Sequence, residues 1–171
     1  MRGQLLAVAL LSCLRGQPAG TLPWPPAPKH IAYEILGFSL EDRMTIHLAM
    51  REVETAAHGR IRYENGPGGL RILALADRAE LADAEWPRHD DGSPNFRWLG
   101  LWIRGRQEID IVRPMIAKDD LRRYVLHELG HALGLRHTAA AGSCMREFMD
   151  ANCVEGGLSP VDLQLFEEIT R

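Results

Sequence analysis

The chain has 171 residues, of which 46% are hydrophobic and 25% charged, with a formal net charge of -3. At roughly 100–200 residues per domain, this length holds one domain and hardly two, and the apolar content is too high for a disordered chain. Mild acidity argues against nucleic acid or anionic membrane as the main partner, and no run approaches the ~18 apolar residues of a membrane-spanning helix.

The first residues read as an export signal. Met1 and Arg2 give a positive start, and Leu5 to Leu11 is an apolar stretch of signal length. Two processing sites compete. Pro18-Ala19-Gly20 offers small residues for cleavage, so residues 1–20 form the leader; alternatively Leu10-Leu11-Ser12-Cys13 is similar to a bacterial lipobox, with Cys13 lipidated and the leader ending before it. Three cysteines are an odd set. With Cys13 removed or lipidated, Cys144 and Cys153 remain as one pair, expected as a disulfide closing a short loop in an oxidising compartment. Two free thiols in a reducing compartment are the alternative.

Residues 21–29 hold Pro23, Pro25, Pro26 and Pro28 and form a stiff linker. The remainder, 30–171, is expected to be one domain. His30 to Leu36 reads as a strand ended by Gly37. Ser39 is an N-cap with Asp42 three residues on, and Leu40 to Ala57 has helical spacing with Met44, Leu48 and Val53 among its apolar positions. Arg60 to Glu64 alternates as a strand, Asn65 to Gly69 is a turn, and Leu70 to Ala76 is a buried strand. Residues 77–97 form a long polar connection, of the kind that more often serves function than a passive link. Trp98 to Ile103 and Glu108 to Val112 are two further strands. A helix follows from Asp119 or Asp120, either of which can cap it. The order predicts an α/β (α+β) fold: a mixed sheet of about five strands, a long helix, a second helix carrying the site and a C-terminal helix.

The informative stretch is His127-Glu128-Leu129-Gly130-His131-Ala132-Leu133-Gly134-Leu135-Arg136-His137, which satisfies H-E-x-x-H-x-x-G-x-x-H. At this composition its chance occurrence is on the order of one in ten thousand. On a helix at about 100° per residue, His127 and His131 stand about 40° apart and can reach one metal, with Glu128 beside them. Val125, Leu129 and Leu133 fall on another face and can pack in the core. If the helix continued, His137 would point about 240° from His131. Gly134 resolves this, because a glycine at the helix end can turn the chain back. Three imidazoles plus one open position describe a catalytic zinc site, with Glu128 as general base and acid.

These residues resemble the metzincin clan of zinc peptidases, and within it the matrixin-like group. Met145 is the best match for the clan's methionine turn, with Met149 second. Arg146 and Glu147 depart from the common form of that turn. Thr138 stands where matrixins usually carry Ser, and Leu158 to Phe166 is similar to the start of their C-terminal helix. The resemblance implies that Asp162 braces the methionine turn and that a protein or peptide substrate lies along the strand from Trp98 to Ile103. No propeptide cysteine motif or histidine-rich second zinc segment is present. His89, Asp90 and Asp91 read as a solvated acidic turn, with structural calcium as the other reading. His30, His47 and His58 lack metal spacing and read as structural.

The expectation is an exported, monomeric zinc endopeptidase with one catalytic Zn2+, secreted or periplasmic, or attached to the membrane through a lipidated Cys13. The competing reading is a silent metzincin-like zinc module that recognises a protein partner.

Overall fold

The computed structural model describes residues 30–77, 80, 99–147, 153 and 158–169. The leader with Cys13, the linker, the His89-Asp90-Asp91 group, Trp98 and Met149 all lie outside the described residues.

Strand β1 (His30–Leu36) leads into helix α1 (Leu40–Ala56), followed by β2 (Arg62–Asn65), β3 (Leu70–Leu75), β4 (Gly100–Ile103) and β5 (Glu108–Val112). Helix α2 (Leu121–Ala132) carries the histidine motif, and α3 (Pro160–Glu168) closes the order. The five strands form one sheet in the order β2-β1-β3-β5-β4. β1 is parallel to β2 and β3, and β3 is parallel to β5, while β4 pairs antiparallel with β5. The sheet is therefore mixed, with β4 at one edge, and the long helix stands after the first strand and ahead of the other four.

Strand alternation builds the core. Ile72 from β3 and Ile109 and Ile111 from β5 are fully buried on the face that meets the helices. α1 packs there through Ile46, Ala49, Met50 and Val53, a stripe of period 3.6. Val53 is in the core as expected. Met44 and Leu48 fall on another row of the helix and are 61% and 60% exposed. Ile46, Met50 and Val53 of this stripe each contribute about 1.5–3 kcal/mol.

Ser39 caps α1, its hydroxyl accepting from the Asp42 N–H at 3.1 Å. Asp42 turns away to Arg113, whose guanidinium donates to it at 2.7 Å and holds the carboxyl below its ordinary range. This tie joins the start of α1 to the segment between β5 and α2. The entry to α2 differs from the sequence expectation. A 3-10 turn over Lys118–Asp120 precedes the helix, and Asp120 sits at the cap position without a side-chain cap bond. Asp120 pairs with Arg123 at 3.0 Å, so its carboxylate serves an ion pair in the first helical turn. Strand bounds also shift: β2 starts at Arg62 and β4 at Gly100.

α3 begins with a complete capping box. Ser159 accepts from the Asp162 N–H while the Asp162 carboxylate accepts from the Ser159 N–H, with Pro160 in the first turn. Phe166 and Leu165 then bury into the core. Among the described residues, no helix is long and apolar enough to cross a membrane.

Candidate active site

α2 crosses the helical face of the sheet with Val125, Leu129 and Leu133 buried. This leaves His127 and His131 on one side of the helix. The helix ends in a Schellman arrangement: the Leu135 N–H reaches the Gly130 carbonyl and the Gly134 N–H reaches that of His131. Gly134 has φ 95°, in the left-handed region that only glycine adopts without strain. The reversal brings His137 back, and the three Nε2 atoms stand 3.0, 3.1 and 3.3 Å apart.

These distances fit a metal. Ligands at about 2.0–2.1 Å in tetrahedral geometry place their nitrogens about 3.3 Å from one another. The tautomers agree. Nδ1 of His127 donates to the Cys144 carbonyl at 2.6 Å, and Nδ1 of His131 donates to the Leu135 carbonyl at 2.9 Å. A carbonyl can only accept, so each ring carries its proton on Nδ1 and aims the lone pair of Nε2 inward. Converging lone pairs repel unless a cation takes them. Burial pushes His127 down to about 3, helped by His131 beside it, and burial also lowers His131 and His137. All three rings are neutral near pH 7, which is the ligating form. Among the described residues, this is the one cluster of three such side chains able to hold an ion.

Glu128 is 3% exposed and lies against β4. A β-carbon on Gly100 would stand 3.0 Å from Glu128 Oε1, so the strand makes room for the carboxylate by having no side chain there. Burial lifts the Glu128 carboxyl to about 8, opposed by a hydrogen bond from the Trp102 backbone.

Beneath the histidines lies the turn over 143–145. Met145 is fully buried with its sulfur against Gly130, where a β-carbon would overlap it. The turn is held from α3: the Asp162 carboxylate accepts from the Ser143 hydroxyl and from the Cys144 N–H at 3.0 Å. Asp162 is fully buried. The structure joins Cys144 and Cys153 in a disulfide.

The sequence profile of the family described as Matrixin matches residues 77–169, more than half of the chain. The chain belongs to the matrixin family. This matrixin is 33% identical over 92 residues to stromelysin-3 of Homo sapiens and to that of Mus musculus. It is 32% identical over 92 residues to that of Rattus norvegicus. Each match covers 53% of this chain and 15% of the relative, so the chain spans a small part of the length of these proteins. A solved structure titled "Structure of myroilysin" superposes with a TM-score of 0.53 at 15% identity, over 86% of this chain and 94% of that one. At that identity the likeness concerns the fold, which is metzincin-like.

The structure thus brings together His127, His131, His137, Glu128, Gly134, Met145, Cys144, Cys153 and Asp162. His30 pairs with Glu64 at 2.7 Å and His47 with the Tyr33 hydroxyl at 3.1 Å, both away from the triad. Sequence reasoning missed Gly100 and Gly130. Gly130 falls on a variable position of the motif, and Gly100 sits in a strand whose pairing with α2 no local pattern announces. An in-strand glycine was the one visible signal, since such positions often mark a close approach.

Proposed function

We propose that this matrixin is a zinc-dependent endopeptidase. The observation that carries the reading is the convergence of three Nε2 atoms beside the Glu128 carboxyl. His127, His131 and His137 hold the metal through Nε2. When bound, zinc supplies a Lewis acid that activates water and polarises the scissile carbonyl. Glu128 takes the proton of the attacking water and later gives it to the leaving amine. Met145 forms an apolar floor below the rings, and Asp162 braces the turn that carries it. The edge strand β4 can pair with an extended peptide through main-chain hydrogen bonds, which would bring the scissile bond near Glu128.

The disulfide supports an oxidising, extracytoplasmic location. We read residues 1–20 as the leader and the chain as a monomer, with lipid on Cys13 as the alternative form of export. Mass analysis of the mature N-terminus separates the two by the added acyl mass.

The activity is tested on unfolded protein and peptide libraries, with and without a chelator. Cleavage is expected to stop with chelator and to return with zinc. Glu128→Ala is expected to keep zinc and to lose activity by about 10²–10⁴-fold. A Glu128→Ala protein as active as the parent would sink the mechanism. A zinc-loaded parent that cleaves nothing and captures one stoichiometric partner would leave the binding module standing instead.

A further inference from the structure

Cys144 meets the site at three points. Its carbonyl accepts from Nδ1 of His127 at 2.6 Å, its N–H donates to Asp162 at 3.0 Å, and its sulfur is bonded to Cys153. The next carbonyl, that of Met145, accepts the N–H of Thr138 at 2.8 Å, directly after His137. Two successive carbonyls therefore hold two of the three histidine segments. The turn bearing them is tied on one side to α3, through Asp162, and on the other to Cys153, through the disulfide. Cys144 is 1% exposed and Cys153 0% exposed, so the link between the turn and Cys153 is buried. Partners of ligating histidines set ring orientation and tautomer, and losing one typically weakens metal binding.

Resting on the zinc-peptidase reading, we infer that the Cys144–Cys153 disulfide is a positioning element of the metal site, which makes zinc retention depend on the oxidation state of this pair. Opening it takes two electrons and two protons. The S–S bond breaks, two S–H bonds form, and a trialkylphosphine reductant ends as the phosphine oxide with its oxygen from water. Asp162 still holds the N–H of Cys144, but the carbonyl on the far side of the residue is then freer to rotate away from His127. A disulfide serving the fold alone would act differently. It would restrict the unfolded chain and lower stability on removal, with zinc affinity unchanged.

The test compares the parent with the Cys144→Ala/Cys153→Ala double variant, which leaves no thiol at the turn to scavenge metal. Zinc dissociation constants are measured by competition with a chromogenic chelator, at a temperature where circular dichroism shows both proteins folded. The variant is expected to bind zinc about 10–100-fold more weakly. A parent that binds no zinc fails the peptidase reading, whereas a folded variant with the parental constant overturns this inference alone. If the variant does not fold, the same competition is run on the parent treated with trialkylphosphine, with cystine content followed by mass. Zinc release in step with reduction, in a chain that stays folded, supports the inference. Retention of zinc by the reduced chain, or unfolding on reduction, overturns it.

Discussion

Gly130 shows how one residue decides the geometry under the metal. It is helical, and alanine has the higher helix propensity by about 0.8–1 kcal/mol. Propensity alone would favour the substitution. The neighbour decides otherwise, because a β-carbon there meets the sulfur of Met145, which is fully buried and must shift to make room. Overpacking of this kind costs about 1–3 kcal/mol. Gly130→Ala is therefore expected to lower the denaturant midpoint with zinc present, a net loss of up to about 2 kcal/mol. An equal or higher midpoint would show that the turn can yield. The contrast with Gly134 is instructive. Its need for a positive φ was legible from its place in the motif, whereas the need for space at Gly130 exists only because a turn from elsewhere in the chain packs against it.

At the scale of elements, the outer face of the sheet carries a charged cluster. Glu108 and Asp110 point there from β5, and Arg71 of β3 donates to Glu108 at 2.7 Å. Asp110 is 5% exposed, and its Oδ1 has no hydrogen-bond partner among the described residues. Burial, then the neighbouring Glu108, lifts the Asp110 carboxyl from 3.8 to about 6. A carboxyl whose pKa is higher folded than unfolded favours the fold most when protonated. Its contribution thus falls as pH rises from about 4 to about 6 and stays low above. Replacing it with the uncharged Asn should remove that trend. In zinc-free protein, Asp110→Asn is expected to gain stability relative to the parent between pH 4 and pH 7, measured by denaturant unfolding at both. A difference that does not change with pH would contradict the assignment. No periodicity signalled this cluster. β5 read as a strand because of Ile109, Ile111 and Val112, while the burial of its acidic positions depends on what packs over them.

Over the whole molecule, the site is assembled from distant parts of one chain. α2 supplies two histidines and Glu128, the reversal at Gly134 supplies the third, the turn at Met145 lies beneath, and α3 braces it through Asp162. Zinc binding therefore couples to the packing of these parts. A ligand that binds only the folded state at a hundred times its dissociation constant adds about 2.7 kcal/mol. Zinc at that excess is expected to raise the unfolding free energy by this order, and chelator to remove it. An unfolding midpoint indifferent to zinc would mean that the triad does not hold the metal in the folded state.

The metal ligands, the reversing glycine and the adjacent glutamate were legible in the sequence because one short segment holds them all. Helical periodicity and a glycine signal are local physics, set by backbone geometry within about three turns. The cysteine pair and Asp162 were legible through pairing arithmetic and resemblance, without their positions in space. The helix entry at Asp120 departs from the sequence expectation, since an ion pair with Arg123 takes the same carboxylate. Tertiary structure alone decided what separate segments do to one another. It placed β4 at the sheet edge beside Glu128, set Gly100 and Gly130 as points of close approach, turned Met44 and Leu48 outward, and made the Cys144 carbonyl the partner of His127. Apart from the outward turn of Met44 and Leu48, each of these is a contact between residues far apart in sequence, and such contacts depend on packing that no local pattern encodes.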